Sequence, residues 1–310
     1  MDLVTLKAAH AAGQLDKPTF IRRALALHAS LFDTARALAD TEVRAITLSP
    51  EGVCFEVGPA RLRLWCPPDE ARVAPIETLN FDRYEPREMA VLEALADGCR
   101  AMLDVGANIG WYAVWFATRV PAGRVWAFEP LPGPYAYLQR NVAANDVGDR
   151  VATFNLGLSR KNGVATFHFA PTNGTNASLL NVAEAPDAVP VIGVTMRLDD
   201  WVTAHGVVPD LVKCDVEGAE LWVFEGAEGT LAKHRPAVLA ELLRKWSRPF
   251  GYHPTDVLEF FRRLGYRALA IGGERPRLIE AVDDETVETN YVFLHPARHG
   301  DVLARLLGEG

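Results

Sequence analysis

The chain has 310 residues, 49% hydrophobic and 23% charged, the profile of a folded globular protein with room for one large core and an appendage. With 32 Lys and Arg against 40 Asp and Glu, its formal net charge of -8 removes any electrostatic reason to expect nucleic acid or an anionic lipid surface as partner. No apolar run approaches the roughly 20 residues of a membrane-spanning helix, and Met1 to Lys7 carry neither the basic nor the apolar region of a secretory signal, so a cytoplasmic protein without a membrane span is expected.

Residues 1 to about 40 are rich in alanine and leucine, with Phe20, Ala24, Leu27 and Leu31 spaced along one helical face. Short alternating runs follow at Val43–Ile46, Val53–Val57 and Leu62–Trp65, separated by Ser49-Pro50-Glu51-Gly52 and Gly58-Pro59. They predict a small antiparallel meander closed by Pro67-Pro68. Residues 1–80 thus read as a helical cap with a β meander, 81–296 as the main domain and 297–310 as a tail. Phe81 to Asp97 starts polar and aromatic and becomes helical, with Met89, Leu92, Leu95 and Ala96 on one side. Cys54, Cys66, Cys99 and Cys214 lie at irregular spacings without a Cys-x-x-Cys pair and read as free thiols.

After Gly98 strand and helix alternate, the pattern of an α/β sheet that is mostly parallel and carries helices on both faces. Strands are expected near 101–105, 124–129, 151–156, 211–215 and 237–242, with 267–271 and 290–295 as a closing hairpin-like pair; helices are expected near 109–119, 133–144, 219–231 and 254–264. One insertion interrupts the alternation. Val164 to Phe169 alternates as a strand, and an Asn-, Gly-, Pro- and Ala-rich stretch from Pro171 to Pro190 reads as a lid or acceptor loop.

Leu103 to Gly110 is an apolar strand ending in an acid, then a glycine-bearing turn into a helix, the place where an open α/β sheet brings backbone closest to a ligand. Gly106 and Gly110 permit that approach. Dinucleotide folds use Gly-x-Gly-x-x-Gly to hold a pyrophosphate, but here Asn108 stands at the middle glycine and Asp104 sits where a carboxylate repels phosphate. A cofactor with an ammonium and no phosphate suits the turn better, and S-adenosylmethionine is such a molecule; a nicotinamide oxidoreductase is the disfavoured alternative. Val125 to Pro130 is a second apolar strand ending in an acid, and Glu129 is placed to accept both hydroxyls of a ribose. Asn155 and Leu156, at the end of the third strand, are candidates for the adenine edge, although an Asn there also reads as a simple turn former.

Asp104-Val105-Gly106-Ala107-Asn108-Ile109-Gly110, Phe128-Glu129-Pro130, Leu198-Asp199-Asp200 and Lys213 to Glu220, in this order and spacing, resemble the FkbM-type family of S-adenosylmethionine-dependent methyltransferases over roughly residues 84–270. The resemblance implies a seven-stranded class I methyltransferase sheet and O-methylation of hydroxyls on sugars, glycan precursors or secondary metabolites. The cap and meander lie outside the shared core, so acceptor choice and self-association into a homo-oligomer are expected to reside there. An Asn or Asp followed by Pro-Pro-Tyr, the mark of enzymes that methylate base or glutamine amino groups, is absent; Lys213-Cys214-Asp215 stands in its place.

An alcohol loses a proton as it is methylated, so a base near the methyl group is useful. Asp215, at the end of the fourth parallel strand, is the first candidate, although it also reads as a helix cap or a ligand to the cofactor ammonium. Glu241, on the neighbouring strand, could orient acceptor hydroxyls or help Asp215 hold a divalent ion, but no ligand spacing is diagnostic of metal and none is assigned. His253 is a further base candidate whose other reading is a cap before Pro254, and His168 a weaker one. Glu220 reads mainly as helix-terminal structure, and Trp111, Trp115 and Trp126 as core. Tyr84 and Glu85 are expected to close over the cofactor beside Gly106, Ala107, Asn108, Glu129 and Pro130; Asn173, Asn176 and Ser178 are candidate acceptor ligands. A cofactor-binding scaffold without catalysis, or methylation of an amine, are the other readings of the same residues.

Overall fold

The computed structural model describes residues 2–68, 70–169, 178–182 and 188–308. Two helices open the chain, α1 (Leu3–Ala11) and α2 (Lys17–Ala37), each begun by an aspartate whose side chain accepts a backbone N–H three residues on. The meander follows as β1 (Val43–Ser49), β2 (Gly52–Val57) and β3 (Leu62–Cys66), antiparallel in sequence order. Next come α3 (Ala74–Phe81) and α4 (Pro86–Ala96), each with proline in its first turn, where no amide partner is lost.

The main domain then runs β4 (Ala101–Val105), α5 (Trp111–Arg119), β5 (Arg124–Phe128), α6 (Pro132–Ala144), β6 (Val151–Phe154), β7 (Gly157–Leu158), β8 (Gly163–Phe169) and β9 (Val189–Met196). It continues through α7 (Leu198–His205), β10 (Leu211–Cys214), α8 (Glu220–Glu225), α9 (Glu228–His234), β11 (Ala237–Glu241), α10 (Arg244–Ser247) and α11 (Pro254–Arg263). It closes with β12 (Arg267–Ala270), β13 (Arg277–Leu278), β14 (Asn290–Leu294) and α12 (Pro296–Leu307).

The central sheet has the order β13-β12-β14-β11-β10-β4-β5-β6. Strands β6, β5, β4, β10 and β11 pair in parallel, and β14 enters antiparallel between β11 and β12. The expected α/β architecture is present, with one difference: the two-residue strand β13 pairs with β12 and brings the sheet to eight strands rather than seven. So short a piece carries no period-2 signal for a sequence reading to detect.

Alternate residues along each central strand feed two separate cores, as a sheet covered on both faces requires. Met102, Leu211, Leu239 and Val292 pack with α4, α5 and the meander, whereas Leu103, Val212, Val238 and Phe293 pack with α7, α8, α9 and α11. The meander is fastened to this body by Asn141 of α6 and by Asn145, which caps the end of that helix. Asn141 Oδ1 accepts from Trp65 N at 2.7 Å, and Asn145 Oδ1 accepts from Arg63 N at 2.8 Å.

Three further differences have local causes. The helix expected over 219–231 is broken into α8 and α9 at Gly226 and Ala227, where the Asp199 carboxylate accepts from Gly229 N and Thr230 N to start a new helix. Strand β9 and helix α7 occupy 189–205, where only a loop and a motif were read. The expected tail from 297 is mostly α12, which buries Leu303 against the first core and donates from Arg305 to Ala94 O. Of the cap face, Ala24 is buried while Leu27 and Leu31 are exposed. All four cysteines are free, and Cys99 is only partly buried.

Candidate functional site

The turn after β4 shows why its sequence is as it is. Gly106 has φ 77°, and a Cβ there would stand 1.8 Å from the carbonyl oxygen of Asp215, so no side chain fits between the ends of β4 and β10. Asn108 has φ 50°, the left-handed conformation that Asn adopts more readily than most residues, which accounts for Asn at the position where dinucleotide folds have glycine. The turn is pinned from the neighbouring strand. Glu129 Oε2 accepts from Asn108 N at 2.9 Å, Oε1 accepts from Leu131 N at 2.9 Å, and the Gly106 and Ala107 amides donate to Phe128 O.

These elements wall a cleft, open to solvent on one side, at the carboxyl ends of β4, β5, β10 and β11. Gly106, Ala107, Asn108, Glu129 and Pro130 line one end of it. Tyr84, Glu85, Asp215 and Glu241 line the rest, so these residues, scattered over more than 150 positions of sequence, are brought together.

Five of the sequence candidates are placed elsewhere. Asp104 is wholly buried under the turn and is no part of the cleft wall; neither carboxylate oxygen closes a regular hydrogen bond. Burial pushes its pKa up to about 6, with Lys213 opposing. Gly110 starts α5 from behind the wall. Asn155 braces the turn after β5, its Nδ2 donating to the carbonyls of Glu129 and Pro130, while Leu156 packs with the second core. His253 is the N-cap of α11, its Nδ1 accepting from Thr255 N at 3.3 Å, exposed and outside the cleft. Of the loop candidates, Ser178 is buried and donates to Glu217 O at 2.7 Å, while Asn173 and Asn176 lie outside the described residues. His168 pairs through its backbone with Ser178.

The structure adds Lys213, Glu217, Trp111, Tyr112, Arg72 and Glu77 to the wall. Lys213 has its Nζ 3.3 Å from Asp215 Oδ2 and 3.5 Å from Gly106 O, and 4.8 Å from the centre of the Tyr112 ring. Burial alone pulls its pKa down, but Asp215, Asp104 and Glu85 outweigh that and hold the ammonium charged. Its signal was in the sequence: a lysine inside the apolar strand Leu211 to Cys214 has to meet buried acids. Arg72 and Glu77 pair at 2.7 Å at the mouth, and no periodicity marks them.

The acids differ in role. Glu220 is spent on structure, with Oε1 accepting from the Val216 and Gly218 amides and Oε2 from the Tyr252 hydroxyl. Glu85 and Glu241 face the cleft, and burial pushes each up to about 8. Burial and the neighbouring Asp215 and Glu241 raise Glu217 as well, and burial carries Glu129 up to about 7 against two amide hydrogen bonds. Among the described residues, no group of three or more His, Cys, Asp or Glu side chains is arranged to hold a metal ion, and no helix is long and apolar enough to cross a membrane.

Comparison with known proteins places this cleft in context. The methyltransferase FkbM domain matches residues 104–268, which hold the turn, Glu129 and the acids after β10 and β11. Methyltransferase sdnD of Sordaria araneosa is 30% identical over 181 residues, covering 49% of this chain and 68% of that protein. The 2-O-methyltransferase NoeI of Sinorhizobium fredii is 32% identical over 150 residues, covering 43% and 60%. The 31-O-demethyl-FK506 methyltransferase FkbM of Streptomyces tacrolimicus is 30% identical over 155 residues, covering 41% and 59%. The chain thus spans about three fifths of the length of the last two.

Proposed function

Because this chain belongs to the FkbM methyltransferase family, whose domain covers residues 104–268, we propose that it transfers the methyl group of S-adenosylmethionine to a hydroxyl oxygen of a sugar, a glycan precursor or a secondary metabolite. The observation that carries this reading is one cleft in which the Gly106 turn and the Glu129 carboxylate adjoin acids with raised pKa values. The relatives named as O-methyltransferases support oxygen as the nucleophile.

The residues fit the cofactor on their own chemistry. Gly106 lets the end of β4 close against the Asp215 carbonyl, which brings the turn and Asp215 to one side of the cleft, and Glu129 keeps acceptor lone pairs beyond its two amide bonds for a diol. Lys213 offers an ammonium proton toward a carboxylate, while Glu85 offers a carboxylate toward an ammonium. When bound, the cofactor supplies an electrophilic methyl on a sulfonium. The protein's work is to hold the acceptor oxygen in line with it and to take the proton. Glu241 is the group we assign to that proton, since burial makes it more basic than an ordinary carboxylate, with Asp215 orienting the acceptor under the hold of Lys213. The new C–O bond forms as the C–S bond breaks, the sulfur leaves as a neutral thioether, and the hydroxyl proton passes to Glu241.

Calorimetry with S-adenosylmethionine tests the cofactor half: Glu129→Ala is expected to weaken binding at least tenfold, about 1.4 kcal/mol. Undiminished binding by that variant would remove Glu129 from the site. Isotope-labelled methyl donor with a panel of hydroxylated acceptors tests the other half, and transfer only to amines or thiols would sink it.

A further inference from the structure

Beside the cleft lies a second cavity of about 470 Å³, open to solvent on one side, between the meander and helices α4 and α5. Its interior is apolar: Val57 and Leu62 from the meander, Met89 from α4 and Trp115 from α5 face it. Charge is confined to the rim, where Arg83 pairs with Glu42 at 3.4 Å and Arg119 with Glu93 at 2.7 Å. An open recess of this size with an apolar floor, beside a reaction cleft, has the dimensions and lining of a ligand subsite.

Tyr84 and Trp111 line both spaces, packed edge to face with ring centroids 5.6 Å apart, so one aromatic pair forms the wall shared by cleft and chamber. The segment bearing Tyr84 is strained: Asp82 has φ 70° and Glu85 φ 41°, left-handed values that non-glycine residues adopt at an energetic cost. Trp111 is 8% exposed and its Nε1 has no hydrogen-bond partner, a buried donor left over from the packing of the wall. Apart from Trp111, Trp115, Thr118 and Arg119, the chamber is built by residues 42–93, upstream of the family domain that begins at 104.

We infer that this chamber holds the apolar body of the methyl acceptor, so that the substrate is an amphiphile, a hydroxylated head in the acid-lined cleft joined to an acyl chain or apolar ring system beyond Tyr84 and Trp111. The inference rests on the methyl-transfer reading of the cleft and narrows it: a free monosaccharide would leave the chamber unfilled.

The test is calorimetric, on the full chain saturated with S-adenosylhomocysteine, with n-octyl β-D-glucoside below its micelle-forming concentration and methyl β-D-glucoside as probes. The octyl compound is expected to bind at least tenfold more tightly, which needs only part of its extra chain to leave water. Met89→Glu, which puts a charge in the wall, and Ala60→Trp, which enlarges an exposed turn residue at the mouth, are each expected to bring that ratio near one with S-adenosylhomocysteine affinity unchanged. Equal affinities, no binding of the octyl compound, or a preference that survives in both folded variants overturns the chamber. Failure of the wild type to bind S-adenosylhomocysteine is a different result, which overturns the methyl-transfer reading and this inference with it.

Discussion

Lys213 carries more of the site than any other single side chain. It is the buried cation among Asp215, Asp104 and Glu85, and two of its donors are committed to Asp215 and to the Gly106 carbonyl. Removing one partner of a buried pair leaves the other charge uncompensated, a loss of about 3–5 kcal/mol. Lys213→Met is therefore expected to lower the unfolding free energy measured by urea denaturation by that amount, and a variant as stable as the wild type would show that the acids carry protons instead of relying on the lysine. Glu241 gives a different test. Its folded pKa is raised to about 8, so the basic form grows as pH rises, and kcat/KM for a saturated cofactor complex is expected to climb toward about pH 8. Glu241→Gln should remove that limb and lower the rate by about 10²–10⁴-fold. A limb that persists in the variant would assign the proton to another group.

At the scale of elements, the β4 turn sets the geometry of everything else. Gly106→Ala must displace the Asp215 carbonyl, and with it the end of β10, so the variant is expected to lose cofactor binding while retaining most of its far-UV circular dichroism. Full binding by Gly106→Ala would mean that β4 and β10 can separate freely. This turn was legible in the sequence because its chemistry is local: an acid, a positive-φ glycine and a helix start within eight residues, the same logic that marks Glu129 at the end of β5. What stayed hidden was set by approach through space. The Asp199 carboxylate starting α9 from across the fold and the Arg72–Glu77 pair at the cleft mouth leave no periodic trace. Asn155 and His253 are ambiguous in sequence for the reverse reason, since an Asn at a strand end and a His before a Pro look the same whether they serve a ligand or, as the hydrogen bonds of these two show, a turn or a cap. The amino-terminal helices carry the opposite lesson. A helical period is present, yet α2 buries only Ala24 and exposes Ile21, Leu25 and Phe32 by more than half. Deleting residues 2–37 is accordingly expected to leave cofactor affinity unchanged, and a loss above threefold in calorimetry would show that these helices reach the site.

For the whole molecule, the buried acids decide how stability depends on pH. Burial raises Glu85 and Glu241 to about 8, Glu129 and Glu220 to about 7, and Asp104 to about 6, each above its unfolded value of 4.5 or 3.8. Between those limits the native chain holds more protons than the unfolded one, so unfolding free energy falls as pH rises through the window. His299 works the other way: burial lowers it to about 4, and its contribution rises with pH only up to the ordinary histidine value of 6.5. Lys213 stays charged throughout and adds no slope. Above about pH 6.5 the acids act alone, so the cofactor-free chain is expected to melt at a lower temperature at pH 8.5 than at pH 6.5. A cofactor with two cationic groups and one carboxylate favours the ionised acids, which converts the same protons into a binding signal. Protons should be released when S-adenosylmethionine binds at pH 7, visible as a binding enthalpy that depends on the ionisation enthalpy of the buffer, and the rise in melting temperature it confers should be larger at pH 8.5. A buffer-independent enthalpy together with a pH-independent rise would show that the cofactor meets acids already ionised, and the cleft's basicity would then have to be sought on the acceptor side.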